Sequence, residues 1–450
     1  MKLSGNSCGR NYGRIGVYAL AIFAILFTAK PLSVFAAEAK KPAASEKQQS
    51  KQDSSTSGKA KADTKKPIPK TNVVVDLRPA IIAARKATLE GDYEKADKLY
   101  GLVTKAFPKL SDIRLEYAAA TARAGETEKS RDIMAPIDIA SLPAGHRNAY
   151  NNLMWGERGF SISAAPKILY DTNVNSGATN GTVMIGGIPF TLSEDAQASG
   201  GMGYGGMLSV QGLHVLNNKT ALGFTALADA DIYENSDFSG TRFTLSAGPR
   251  FVVGKSIVRL NALAGTRFLG GDHLEDHHGG QGSITFNTVD KIPLTLSASR
   301  RIFEGAEDNT PNRDRTEDSY VASLFFRDHL PWKGGASLFV GYDSKNWIRS
   351  IEDNIAYKAG FSTSFPRNGY VDPVFFFSVS KTEYENKIPL LGVARDEWRY
   401  EPSIRFDITY IKTPFGSPYV QYSYIRNDSN VVLTDYDQHR VTTGFVIRSW

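Results

Sequence analysis

The chain has 450 residues, enough for two or three folded units, with 41% hydrophobic and 22% charged residues and a net charge of +6. Its first 37 residues carry four bases and no acid, and the next 33 carry nine lysines against four acids. Residues 71–450 therefore sum to about three net negative charges, which gives no reason to invoke nucleic acid. The single cysteine, Cys8, excludes a disulfide framework.

Lys2, Arg10 and Arg14 precede an apolar run from Ile15 to Phe27, and Val34-Phe35-Ala36-Ala37 offers small residues for cleavage. This is the layout of a secretory signal over 1–37; the run is too short for a spanning helix of about 20 residues. Residues 38–70 are rich in Lys, Ser, Gln and Pro and have almost no aliphatic residue beyond alanine. They bury too little apolar surface to offset their ordering entropy and read as a disordered tether.

Residues 71–158 read as a helical domain. Ala80, Ala83, Ala84, Ala87 and Leu89, then Ala96, Leu99, Tyr100 and Val103, recur at three- and four-residue spacing. Gly91-Asp92-Tyr93 marks a turn and Pro108 a stop; Ile113, Leu115, Tyr117 and Ala118 begin a second unit that turns at Gly125. Gly91 and Gly125 lie 34 residues apart, the period of the tetratricopeptide repeat, which this stretch resembles. In that register Ala96, Tyr100 and Pro108 take the small, aromatic and helix-breaking places, and Ser130 and Met134 replace the first two in the second copy. Such a stack offers a groove to a partner; the alternative is a spacer bundle without one.

From 159 to 450 the period changes from 3.6 to 2, so the two parts are expected to have separate cores. Phe243, Leu245, Ala247, Phe251 and Val253 alternate with polar residues, as do Val258, Leu260, Ala262 and Ala264, and then Leu294 and Leu296. Ile355, Tyr357, Ala359 and Phe361 do the same, as do Trp398, Tyr400, Ile404, Phe406 and Ile408. Fourteen such segments are expected, near 160–170, 201–216, 220–232, 241–253, 256–268, 281–290, 292–303, 317–329, 335–348, 354–365, 371–384, 395–411, 417–427 and 437–450. Tight links such as Asn217-Asn218-Lys219 and Gly254-Lys255 follow the even segments, and longer polar ones such as 171–200, 269–280 and 304–316 follow the odd ones. An even strand number with turns at one end and loops at the other describes an outer-membrane β-barrel. Gly444, Phe445, Ile447 and Trp450 give the apolar, aromatic-ending last strand, with Trp450 one residue out of phase. The expected fold class is thus α + β multidomain: a short helical repeat, then a transmembrane antiparallel barrel.

Asp272-His273-Leu274-Glu275-Asp276-His277-His278 clusters metal-ligating groups, but glycines flank it and it reads as a solvated loop. Asp171-x-Asn173-x-Asn175 opens like a calcium loop, yet its glycine is displaced to Gly177 and its twelfth position is Thr182. Ser209 and His214, five apart on a strand, point to opposite faces and cannot share a proton. No catalytic residue, metal or cofactor is expected. The candidate functional surface is the lumen, where Arg242, Arg250, Arg259, Arg267, Lys358, Arg399, Glu401, Arg405 and Asp407 lie opposite the apolar face. They line a path or knit the wall together.

The export signal, the repeat, Leu142-Pro143, the barrel-opening stretch Tyr170-Asp171-Thr172-Asn173-Val174-Asn175 and the fourteen strands together resemble the surface lipoprotein assembly modulators. The resemblance spans roughly residues 80–450. It implies an outer-membrane factor that moves lipoprotein or secreted cargo, often iron- or haem-capturing, to the cell surface. The repeat would face the periplasm and engage cargo, and the barrel would be the passage. Outer-membrane lipid, periplasmic chaperones and the barrel-assembly machinery are the other expected partners. Two rivals are an exopolysaccharide export channel, which would carry more repeats, and a passive or uptake porin, for which the repeat would be superfluous.

Overall fold

The computed structural model describes residues 76–157, 159–185, 188–287, 292–306, 313–327, 334–365, 370–411 and 416–448. The expected signal, the tether, Trp450 and the turn residues Asp290-Lys291, Pro331–Lys333, Pro366–Gly369 and Thr413–Phe415 lie outside the described residues.

Five helices open the described chain: α1 (Arg78–Glu90), α2 (Tyr93–Ala106), α3 (Ser111–Arg123), α4 (Thr127–Met134) and α5 (Ala144–Trp155). Gly91 and Gly125 end α1 and α3 with φ of 78° and 79°, a left-handed conformation that a side chain resists. Asp92 caps α2, its carboxylate accepting from the Lys95 amide at 3.1 Å. The 34-residue offset has a packing consequence: Ala96 and Ser130 are both fully buried, as are Tyr100 and Met134. Small residues at the first pair let the helices approach, and large ones at the second fill the space beneath. Pro143 precedes α5, and Leu142 before it is buried.

Strand periodicity then takes over. The strands are β1 (Phe160–Asp171), β2 (Thr182–Ile185), β3 (Ile188–Thr191), β4 (Gly201–Asn217), β5 (Thr220–Tyr233), β6 (Gly240–Val253), β7 (Ser256–Leu269) and β8 (Asp272–Asn287). After them come β9 (Pro293–Gly305), β10 (Arg315–Arg327), β11 (Gly335–Trp347), β12 (Asn354–Ser364), β13 (Val371–Lys387), β14 (Ala394–Ile408), β15 (Ser417–Ser429) and β16 (Tyr436–Arg448). Among the described residues, β1 and β4–β16 form one closed antiparallel barrel of fourteen strands, sealed where β1 pairs with β16. The hairpin β2–β3 stands apart, inside the long connection between β1 and β4. No helix among the described residues is long and apolar enough to cross a membrane. The closed barrel leaves no unpaired strand edge, which is what hydrocarbon would demand.

Two expectations change. The 269–280 link is not a loop: β7 and β8 are joined by Gly270-Gly271 alone, both at positive φ, and pairing resumes at Leu269↔Asp272. Glycines read as mobility are here a two-residue turn and, at 279 and 280, strand positions. Several other links at that end hold only a single 3-10 turn, such as Ser236–Phe238 and Val432–Thr434. The expected separation of cores also fails. Leu115, Ala118, Met134, Ile137, Leu142, Tyr150, Met154 and Trp155 of the helical segment form one buried cluster with Leu213, Ala221 and Ile257 of β4, β5 and β7. These three share the inward-facing parity of their strands, so the helices seat on the inner rim of the tight-turn end.

On the outer wall Leu296, Tyr357, Phe361 and Phe406 are exposed, and Leu294 and Ile408 are half-buried. Phe445 is exposed on the same wall, Ile447 has its parity, and Gly444 points inward against Tyr419. Replacing Leu296 by arginine puts a charge on the lipid face and is expected to cost about 2–4 kcal/mol near the midplane. Arginine at Ser297 points into the lumen and is expected to be tolerated; urea titration of the refolded barrel in lipid distinguishes the two.

The helical segment carries its own titration. Burial disfavours the ionised Asp97, but hydrogen bonds from Lys129 and Tyr117 outweigh it and hold its pKa below the usual carboxylate value. A depressed folded pKa stabilises above the unfolded value and is lost as pH falls through the folded one. Acid titration of helical circular dichroism should therefore show a loss below about pH 4 that is smaller in Asp97→Asn.

Candidate functional site

Strand alternation sends one set of side chains to lipid and the other to the lumen, and the inner set is where charge gathers. Three clusters stand at different heights and a fourth group of pairs lies between them.

At the long-loop end the barrel-opening motif is a closure device. Asp171 is fully buried; its carboxylate accepts from Gln438 Nε2 at 2.9 and 2.7 Å, from Arg440 at 2.7 and 2.8 Å and from the Asn173 amide at 2.9 Å. Gln438 and Arg440 lie on β16, so these bonds stitch the seam between first and last strands. Asn173 donates to the carbonyls of Gly177 and Asp437, and Asn175 to that of Gln197, which ties the long connection to the rim. The groups that a calcium loop would direct at an ion are thus directed at the chain. Tyr170 points outward and is exposed. Beside the seam, Lys167 of β1 reaches Asp231 of β5 at 2.6 Å, spanning β4 on the concave side.

A second cluster joins β7, β8 and β10. The buried Glu275 accepts from Arg315 at 2.6 Å and lies 3.8 Å from Arg267. Arg315 stacks over the rings of Phe303 at 3.8 Å and Trp347 at 4.7 Å, and also binds Glu317 at 2.8 Å. The histidine-rich stretch is split by the alternation of β8. Glu275 and His277 are buried on the inner wall, whereas Asp276 and His278 are exposed on the outer one, with His273 3.0 Å from Asp276. Side chains on opposite faces cannot share one ion. Ser209, buried inside, and His214, exposed outside, are separated in the same way.

Between the ends the lumenal charges pair along or across strands: Lys358 with Asp343, Arg399 with Glu401, and Arg405 with Asp407 at 2.6 Å. Arg242 stands directly opposite Arg267 on one side and Asp229 on the other. Among the described residues Lys358, Arg399, Glu401, Arg405 and Asp407 therefore occur in ion pairs, whereas Arg242 and Arg267, like Arg250 and Arg259, stand as opposed like charges.

The third cluster is at the tight-turn mouth. Arg250 and Arg259 face each other across β6 and β7, and Glu157, in the link between α5 and β1, accepts from both, at 3.2 and 2.8 Å. Arg259 also donates to the Trp155 carbonyl at 3.0 Å. Sequence reading found both arginines and singled out Glu275 but placed it in a solvated loop, and it missed Glu157, Gln438 and Arg440. Glu157 lies where the helical pattern has ended and the strand pattern has not begun, so neither periodicity assigns it a face.

No family model matches the chain, and no curated protein matches it. Solved structures do. The anion-selective porin from Comamonas acidovorans is similar over 64% of this chain and 98% of that one, at 10% identity and a TM-score of 0.34. Acinetobacter baumannii OccAB2 is similar over 65% and 98%, at 8% identity and 0.36, and Pseudomonas aeruginosa OpdQ over 65% and 100%, at 12% identity and 0.31. The likeness is one of fold.

Removing the Asp171 carboxylate strands Gln438 and Arg440 at the seam. Asp171→Ala is expected to cost about 1.5–3 kcal/mol, the range for charge-assisted hydrogen bonds, and Asp171→Asn less. The temperature at which the folded band disappears from an unboiled gel reads this order.

Proposed function

We propose that this protein is an outer-membrane pore whose lumen is the path for a polar solute and whose helical segment serves the periplasmic mouth. The observation that carries the reading is the belt of charges on the inner wall of a closed, lipid-faced barrel. A polar lumen inside an apolar wall is what a water-filled passage requires. Longer links at one end and tight turns at the other support an orientation in which the helices, and the first and last residues of the barrel, face the periplasm. Paired acids and bases present both signs to a permeant, so the pore suits polar solutes without a strong preference for one ion.

A second reading has its own observation. The paired burial of Ala96 with Ser130 and Tyr100 with Met134, at an offset of 34 residues, supports two tetratricopeptide-like repeats. Repeats of that kind present a groove to a partner chain. By the family resemblance, the helices would then hand lipoprotein or secreted cargo to the barrel for display on the cell surface.

Reconstitution in planar bilayers separates the two. Stepwise conductance from purified full-length protein, with little ion preference in a salt gradient, is the expected result. A protein that inserts, shows heat-modifiable migration and yet passes no current, with or without residues 76–157, would sink the solute pore. Co-expression with a neighbouring-gene lipoprotein tests the second reading: surface cargo that is unchanged when the chain is absent would remove it.

A further inference from the structure

The seat of the helical segment has the construction of a catch. Arg250 and Arg259 are directly opposed on the inner wall, and like charges so placed repel. One carboxylate oxygen of Glu157 holds both. Room for the arrangement is built into β5, where a Cβ at Gly223 would lie 2.6 Å from the Arg250 guanidinium. Around the carboxylate the seat is apolar: Met134, Ile137, Leu142, Met154 and Trp155 cluster with Leu213, Ala221 and Ile257. Outer ties reinforce it, among them Asn218 Nδ2 donating to the Ala135 carbonyl at 3.3 Å. Lys255 pairs with Glu128 at 2.6 Å, and Arg131 donates to the Lys255 carbonyl at 3.0 Å. All these contacts fall on β4–β7 and their turns, one wall of the mouth.

We propose that the helical segment is a stopper at the tight-turn mouth and that Glu157 is its latch. The apolar seat supplies adhesion without direction. The carboxylate between two arginines supplies position, and its withdrawal leaves two opposed guanidinium groups of the wall without the counter-charge that ties the segment to them. Because the attachment is to a single wall, release lets the segment swing aside while its covalent link to β1 keeps it at the mouth. The stopper role rests on the pore reading above; the latch itself is a property of the docking and is measured separately.

Glu157→Gln keeps the shape and removes the charge. Loss of one charge-assisted hydrogen-bonded contact shifts a two-state equilibrium by about tenfold or more. Two readouts are taken on full-length protein in lipid, after heat-modifiable migration has shown the barrel folded. Hydrogen exchange of the α5 amides should quicken by about that factor in Glu157→Gln while the β12–β14 amides do not change. In bilayers, the fraction of time open should rise by a similar factor. Cysteines replacing Glu128 and Lys255, in a Cys8→Ser background, are joined by a short reducible thiol cross-linker; current should fall on linking and return on reduction. Unchanged α5 exchange in Glu157→Gln overturns the latch whether or not the protein conducts. Faster exchange with an unchanged open fraction, or current unaffected by the cross-link, overturns the stopper. Absence of current from every form, the helix-deleted one included, is instead the failure of the pore reading; the exchange result then still decides the latch.

Discussion

A backbone placed in hydrocarbon has to satisfy every N–H and C=O within the chain, and the rest of this structure follows from that demand. Fourteen strands meet it only by closing, so the bond between β1 and β16 completes the fold. This seam joins residues almost 270 positions apart and is costly in chain entropy. Its reinforcement is accordingly strong: a fully buried carboxylate at the end of β1 takes two partners from β16, and the adjoining asparagines bind the long connection down over it. A motif that looks like a ligand site in sequence thus serves the closure of the wall.

Closure also decides where charge can go. With lipid outside, every ionisable group on the strands is driven toward the lumen or the rims, and there it meets others in the same position. The interior answers with pairs, Arg399 with Glu401 and Arg405 with Asp407 along one strand, and Glu275 with Arg315 across two. Such pairs fix side chains that would otherwise move through the lumen. They give the lumen a polar surface of defined shape.

The helical segment belongs to this same system. Its apolar face is completed by inward residues of β4, β5 and β7, and Glu157, just past α5, pairs with two arginines of the wall. This coupling, more than the helices' own repeat pattern, joins the two parts into one device.

Much of this was legible in the sequence. Alternation of apolar and polar residues placed thirteen of the fourteen strands within a few residues, because lipid on one side and water on the other impose a period of two. The helical hairpins were legible from Gly91 and Gly125, since only a left-handed position ends a helix in that way. Tertiary structure alone decided the rest. The Asp272–His278 stretch became a strand because partners on β7 and β9 were available on both sides, a fact no local pattern contains. The helices and the barrel came to share a core because an amphipathic helix shows which face is buried but not what covers it. Glu157 acquired its role because Arg250 and Arg259, remote in sequence, were brought together by the register of β6 and β7. Periodicity reports the environment of each residue; only closure of the chain on itself determines its neighbours.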